Sequence, residues 1–369
     1  MSFKWFVPVK CFFGPEAVTK NSGELASFSG QKALIVTGMG GSSYHNGALK
    51  DITKVLEQNS IKYSIFNKVE TNPSIDTVKT GAKQARADEA ELVIGVGGGS
   101  PLDAAKAIAV LAVNDINDEE FFRGSFDHAL PIIAIPTTAG TGSEVTPYSV
   151  LTYPEIESKK SLANDLIYPI MAFIDPLYTI TMSMQMSIDT AVDAYCHAVE
   201  GYLSPRSNPL CDILAQETLG ILGKELRNMR LGKKLEINNR SNIQYAALLA
   251  GMVISHTSTS IPHALGYSLT YFKGIPHGRA TGMILPAYMK FNLNCSSPNT
   301  RVKEVLAASG IRDINEFTSL IMGLVGKPPL CKTSEKRKFI DIALKAKNIT
   351  NNIVVPDRSD LEYILYNAF

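Results

Sequence analysis

Asp193 and His197 stand four residues apart, and two further histidines follow them, His263 in Pro-His-Ala-Leu-Gly and His277 in Gly-Ile-Pro-His-Gly. The chain has six histidines in 369 residues, so three of them beside one carboxylate form a distinctive set. Residues four apart on a helix share a face, and Asp193 and His197 can therefore direct a carboxylate oxygen and an imidazole nitrogen at one point. One carboxylate and three imidazoles suit a divalent cation, Fe²⁺ or Zn²⁺, and ligand type alone does not separate the two. Each histidine taken singly reads as a packed core or surface residue; the four residues together read as a metal centre.

The element that must position the first pair is a helix beginning near Ser187, a suitable N-cap, and ending near Gly201. Ala191, Ala194, Ala198 and Val199 surround the two polar residues, so Asp193 and His197 are expected to face inward, where polar groups need partners. A second long helix is expected over Asn242 to Ser255, which is dense in Ala, Leu, Met and Ile. His256 lies seven residues before His263, but Pro262 argues for a break between them, and His256 reads as structural. Cys196 adjoins His197 yet points in another direction and reads as a small buried residue. Residues Lys327 to Arg337 read as a polar, proline-bearing loop before the terminal helices.

Up to about residue 180 short β-branched runs alternate with amphipathic segments: Lys32 to Thr37, Tyr63 to Phe66, Glu91 to Val96, Pro131 to Ile135 and Met171 to Ile174. Continuous apolar runs of this kind mark strands covered on both faces, the pattern of a parallel α/β sheet. After Leu177 helical patterns take over. Two domains are expected, an α/β dinucleotide-binding domain over residues 1–180 and a helical domain over residues 181–369 that carries the metal set.

The strongest local motif is Gly97-Gly-Gly-Ser-Pro-Leu-Asp-Ala-Ala-Lys106, directly after a predicted strand and opening a helix over Pro101 to Val113. Ser100 fits the N-cap, Pro101 the first helical position, and Asp103 the acid of a capping box. Gly98 and Gly99 let backbone N–H groups approach a diphosphate at a helix N-terminus, although glycines also serve a plain strand-to-helix turn. A second loop, Pro136-Thr-Thr-Ala-Gly-Thr-Gly-Ser-Glu-Val-Thr146, offers several hydroxyls beside two glycines, groups suited to a ribose, phosphate or carboxamide. The first strand ends in Thr37-Gly-Met-Gly-Gly-Ser-Ser43, which does not meet the ordinary G-x-G-x-x-G fingerprint, so a Rossmann-like variant is expected.

A net charge of +1, from 36 basic and 35 acidic residues, provides no general field for nucleic acid or acidic membranes and favours a small-molecule partner. The opening residues lack the apolar stretch of a signal peptide, and no segment approaches the roughly 20 apolar residues of a membrane helix. A cytoplasmic protein is expected. Five cysteines without C-x-x-C spacing suggest neither a disulfide framework nor a thiolate metal site.

GGGSPLDAAKA, PTTAGTGSEVT, D-A-x-x-H-A-x-E, and H-A-L-G followed by P-H-G occur in this order over the chain. Together they resemble the iron-containing (group III) alcohol dehydrogenase family, over essentially the whole length and more faintly after about residue 300. The resemblance implies a Rossmann-like N-terminal domain and an all-α C-terminal domain, the fold shared with dehydroquinate synthase. It places the metal, Fe²⁺ with Zn²⁺ as the other choice, on Asp193, His197, His263 and His277. It places the cofactor diphosphate on Gly98, Gly99 and Ser100, with Asp103 in the same motif. Thr137, Thr138, Thr141 and Ser143 fall near the ribose and nicotinamide, and Asn72 and Lys160 are further contacts. Many family members are dimers, so a homodimer is expected.

Two positions depart from the family pattern. Many members carry an aspartate at the end of the first strand, where this chain has Gly38, followed by Ser42 and Ser43. A carboxylate there would repel a 2′-phosphate, so NADP is expected in preference to NAD. Many members also carry a histidine four residues after the H-A-L-G histidine, where this chain has Tyr267, whose hydroxyl can still donate and accept hydrogen bonds. The expected reaction is reversible hydride transfer between a nicotinamide and a small primary alcohol or diol, in a pocket partly lined by residues such as Met252, Leu265 and Tyr267. The alternatives on the same fold are a glycerol dehydrogenase-like or dehydroquinate synthase-like enzyme. Lys273 and Arg279 are too few basic residues near the ligands to favour a phosphorylated substrate. A nucleotide-binding protein without catalysis is the third alternative.

Overall fold

The computed structural model describes residues 2–369. The apolar runs form a six-stranded, wholly parallel sheet from β1 (Lys10–Phe13), β2 (Lys32–Gly38), β3 (Lys62–Val69), β4 (Leu92–Gly97), β5 (Ile132–Pro136) and β8 (Met171–Ile174), in the order β1-β8-β5-β4-β2-β3. Alternate side chains leave opposite faces of each strand. Leu34, Val36 and Val93 pack on one face with Phe66, Val78 and Ile108. Ile35, Ile94, Val96 and Ile135 pack on the other with Leu25, Ile52 and Leu56. Every residue of β4 and β5 is buried, which is why these two strands read as unbroken apolar runs.

The strand order reverses direction at β2 and β4. From β2 the chain adds β3 on one side and later β4 on the other, and the carboxyl ends of two such adjacent strands are where open α/β sheets leave a ligand crevice. The segments leaving β2, β4 and β5 are the three candidate nucleotide loops. Two elements differ from expectation: the short edge strand β1, and an antiparallel hairpin of β6 (Tyr148–Tyr153) and β7 (Ser158–Ala163). Both mix polar and apolar residues because each has a side that is not covered.

The chain divides into two units, Val7–Met182, and the residues up to Phe6 together with Ser183–Phe369. The second unit is helical, with Met184–Tyr202, Pro209–Arg230, Ile237–Thr257, Ile261–Lys273 and His277–Asn294 at its centre and no strand among the described residues. The first of these helices begins one turn before the expected start. Ser183, not Ser187, caps it by accepting the N–H of Met186 at 3.1 Å, and Ser187 sits inside the helix. Pro262 occupies the first turn of Ile261–Lys273, and the break expected between His256 and His263 is present. The polar loop ends at Lys332, and Thr333–Ala343 is already helix. Near the start of the chain, the Trp5 ring lies on that of His256 at 3.9 Å between centroids, and the Phe6 N–H donates to His256 Nε2 at 2.9 Å. His256 is thereby committed to packing.

Candidate metal centre and nucleotide loops

The helix Met184–Tyr202 carries Asp193 and His197 on one buried face, and the first turns of Ile261–Lys273 and His277–Asn294 bring His263 and His277 to it. Asp193 Oδ1 lies 3.5 Å from His263 Nε2, 3.8 Å from His277 Nε2 and 4.0 Å from His197 Nε2. A tetrahedral ion with bonds of about 2.1 Å separates its donors by about 3.4 Å, so these spacings are close to those of a coordination shell. Asp193, His263 and His277 form the tightest group, each offering one ligand atom within 4.8 Å of the others. His197 stands at its edge, its ring stacked on that of His263 at 4.8 Å and 18°. Asp193 Oδ1 and His263 Nε2 are both buried and neither has a hydrogen-bond partner. Two orphaned polar atoms facing each other in a core are costly unless something accepts both lone pairs, and a divalent cation fits that requirement.

The electrostatics agree. Burial opposes charge on Asp193, but the imidazoles of His197, His277 and His263 outweigh it and hold the carboxyl well below its ordinary value. Burial likewise opposes protonation of His263, and Glu200 with Asp193 outweighs it, lifting the imidazole to about 9. Without a metal the two carboxylates thus draw a proton onto His263, the positive charge that a bound cation would replace.

Close packing sets the positions of the candidate ligands. Gly278 lies against the main chain of Asp189, so the helix bearing His277 starts in contact with the helix bearing Asp193. One residue further on, Arg279 clamps Asp189 with Nε–Oδ1 3.0 Å and Nη2–Oδ2 2.9 Å. Glu200, wholly buried, bonds His263 Nδ1. It has no part in the expected ligand set, although 193, 197 and 200 share a helix face by spacing alone, and that spacing was the available signal. Tyr267 is stacked on His277 at 5.5 Å and meets His263 edge-on at 6.4 Å, so its ring lies beside the ligands. Leu265 is fully buried, whereas Met252 is only partly so.

In the α/β unit the glycine loop and the threonine loop touch. A Cβ on Gly98 would stand 3.1 Å from Thr138 Oγ1, and one on Gly99 would stand 2.7 Å from Thr141 Cγ2. The Thr137 N–H donates to Gly97 O at 2.9 Å. Gly38 adjoins the same place, its would-be Cβ 3.6 Å from Pro101 Cγ. Asn72, with φ 59°, donates its N–H to Ser100 Oγ at 3.1 Å, and its carbonyl accepts Thr152 Oγ1–H at 2.8 Å. Ser42 is exposed and Ser43 is buried. Lys160 Nζ lies over Phe122 and Tyr153, 4.7 and 5.1 Å from the ring centroids.

Two details of the expected helix start are corrected. The helix runs Gly99–Leu111 with Gly98 as its cap position, so Ser100 is inside it and no capping box forms. Asp103 instead accepts the Ser143 hydroxyl at 2.6 Å and the Val150 N–H at 3.0 Å. Beside it Lys106, fully buried, donates to Ser143 Oγ at 2.9 Å, Thr146 O at 2.9 Å and Tyr148 O at 2.8 Å. Burial lowers Lys106 to about 8, against the pull of Asp103 and Glu144, and raises Glu144 to about 7, against its own backbone N–H and Lys106. Lys106 and Glu144 were not singled out from sequence; a lysine within Ala-Ala-Lys-Ala-Ile-Ala-Val was the visible sign.

Comparison with known proteins gives the family. The family model for iron-containing alcohol dehydrogenase matches residues 8–176, and that for the C-terminal part of the Fe-containing alcohol dehydrogenase family matches 187–369. A 1,3-propanediol dehydrogenase of Klebsiella pneumoniae is 34% identical over 294 residues, 79% of this chain and 76% of that one. An NADPH-dependent butanol dehydrogenase of Clostridium saccharobutylicum is 34% identical over 333 residues, 88% of this chain and 83% of that one. The crystal structure of an iron-containing alcohol dehydrogenase from Thermotoga maritima superposes with a TM-score of 0.91 at 40% identity, covering 100% of this chain and 99% of that one. With both family models matched and the same fold over its whole length, this chain belongs to the iron-containing alcohol dehydrogenase family, an oxidoreductase of NAD(P)-dependent type.

Proposed function

We propose that this enzyme interconverts a short primary alcohol or diol and its aldehyde, with Asp193, His197, His263 and His277 holding Fe²⁺, or Zn²⁺ in its place. The observation that carries the metal assignment is the buried pair Asp193 Oδ1 and His263 Nε2, facing each other at 3.5 Å without hydrogen bonds. The relatives named for 1,3-propanediol and butanol support the substrate class. When bound, the metal supplies Lewis acidity toward the substrate oxygen and the nicotinamide supplies the hydride chemistry. The chain's own residues do the rest. Asp193 contributes the negative charge of the site, and the helix contacts at Gly278 and Arg279 keep His277 beside it. Tyr267 brings a hydroxyl-bearing ring next to His277, suited to hold a proton near the substrate oxygen.

The same reading places the cofactor diphosphate at Gly98, Gly99 and Ser100, where the helix Gly99–Leu111 begins. Asn72, Thr137, Thr138 and Thr141 border that point, Asp103 and Ser143 act from behind it by holding the loops, and Lys160 is a further cofactor contact. NADP is favoured over NAD because β2 ends in Gly38 with Ser42 exposed beyond it, and no carboxylate stands there. A cytoplasmic homodimer without nucleic-acid or membrane partners completes the proposal, and no helix among the described residues is long and apolar enough to cross a membrane.

The test is metal-stripped protein reconstituted anaerobically with Fe²⁺ or Zn²⁺ and assayed for NADPH and NADH oxidation with short aldehydes. His263→Ala and His277→Ala should lose metal and turnover together with little change in circular dichroism. Turnover that survives in metal-free protein would sink the assignment.

A further inference from the structure

We propose that Glu200 is the positioning residue of the metal centre: it holds the His263 imidazole with its proton on Nδ1, so that the Nε2 lone pair faces Asp193. This rests on the metal reading given above.

Three nitrogens converge on the one carboxylate. Oε1 accepts the Ser260 N–H at 2.9 Å and the His263 N–H at 3.3 Å, and Oε2 bonds His263 Nδ1. A carboxylate is the side-chain end that offers acceptors only, on both atoms. The two main-chain N–H groups cannot change role and commit Oε1 as an acceptor; Oε2, as the other oxygen of the carboxylate, offers only lone pairs, so the ring nitrogen it meets must be the one that carries hydrogen. The opposite tautomer would set an Nδ1 lone pair against the carboxylate and an N–H at the point where the other ligands converge.

The same contacts fix where the ring starts from. The helix Ile261–Lys273 has no side-chain cap of its own at Ser260. Glu200, from a different helix, satisfies N–H groups of its first turn and brings negative charge to its N-terminus. One side chain thus anchors both the backbone and the ring of His263. With 0% exposure, Glu200 is closed to solvent, and no water competes for these bonds. Two carboxylates, Asp193 and Glu200, beside neutral imidazoles also balance the charge of a divalent ion.

The experiment compares full-length wild type with Glu200→Gln, Glu200→Asp and His263→Ala, and measures metal content and Zn²⁺ affinity by chelator competition, together with thermal unfolding of the metal-free proteins. A glutamine presents an NH₂ to at least one of the three donors. The proposal expects Glu200→Gln to bind Zn²⁺ about 10- to 100-fold more weakly, with partial rescue in Glu200→Asp and metal-free melting temperatures close together. Wild-type affinity in Glu200→Gln, with metal lost in His263→Ala, would overturn the proposal while leaving the metal site intact; metal retained by His263→Ala would overturn the metal reading itself. If Glu200→Gln does not fold, ¹⁵N NMR of the Zn²⁺-loaded wild type decides: a protonated Nδ1 on His263 supports the proposal, and a coordinated Nδ1 refutes it.

Discussion

Gly278 faces the main chain of Asp189 so closely that a methyl group on it would stand 2.0 Å from the Asp189 carbonyl oxygen and 2.8 Å from Asp193 Cβ. Backbone cannot yield there as a flexible side chain would. Gly278→Ala should therefore push the start of His277–Asn294 away, at a cost of about 1–3 kcal/mol, and carry His277 out of reach of Asp193. Denaturant unfolding and metal content measured on the same preparation check this; a stable variant with full metal would contradict it.

Glu144 and Lys106 make stability depend on pH. Glu144 titrates near 7 in the fold against an ordinary 4.5, so the folded state binds the extra proton in that interval and stability falls as pH rises from 4.5 to 7, by about 3 kcal/mol. Lys106 titrates near 8 against 10.5, so the unfolded state binds more protons there and stability recovers above pH 8. Asp103 is raised as well, mainly by burial. Glu144→Gln should flatten the decline between pH 4.5 and 7 in a series of urea unfolding curves; an unchanged slope would remove Glu144 as its source.

Lys106→Met keeps the length of the side chain and removes its charge. Ser143 Oγ and the carbonyls of Thr146 and Tyr148 lose their donor, and Asp103 loses its neighbouring cation. Removing one partner of a buried charged cluster costs about 3–5 kcal/mol. The threonine loop that covers Gly98 and Gly99 should loosen with it, so cofactor affinity, read by calorimetry, should fall at least tenfold.

Gly38→Asp tests the cofactor proposal. The new Cβ would meet Pro101 Cγ at 3.6 Å, an ordinary contact, so the aspartate fits. Its charge should repel a 2′-phosphate and lower the ratio of kcat/KM for NADPH to that for NADH by about tenfold or more, the equivalent of about 1.4 kcal/mol. A ratio that does not move would place the 2′ position elsewhere.

The parallel sheet was legible because β2, β4 and β5 are buried on both faces and therefore written in apolar residues. β1 and the hairpin were not, because edge strands alternate in composition and are defined by their partners. The candidate metal ligands, which the fold brings together, were legible as rare residue types at telling spacings. Asp103 was misassigned because a serine, a proline and an acid spell a capping box locally, whereas Gly98 already occupies the cap and Asp103 is claimed by Ser143 and Val150. Glu200 shares the face of Asp193 and His197, but its role depends on Ser260 and His263 some 60 residues later, a relation that no local pattern contains.

The packing of Trp5 and Phe6 on His256 has a consequence for how the protein is made. The earliest residues belong with the helical unit, while the next 176, Val7–Met182, form the α/β unit. A ribosome releases the α/β sheet complete long before it has synthesised residue 256, so the leading segment must wait without its partner while the rest of its neighbours fold. During that interval Trp5 and Phe6 lack the His256 ring that they pack on in the folded protein. Crowded synthesis will therefore be most vulnerable to aggregation in the window between release of Met182 and release of His256, and a chaperone that binds short aromatic segments would act at that point.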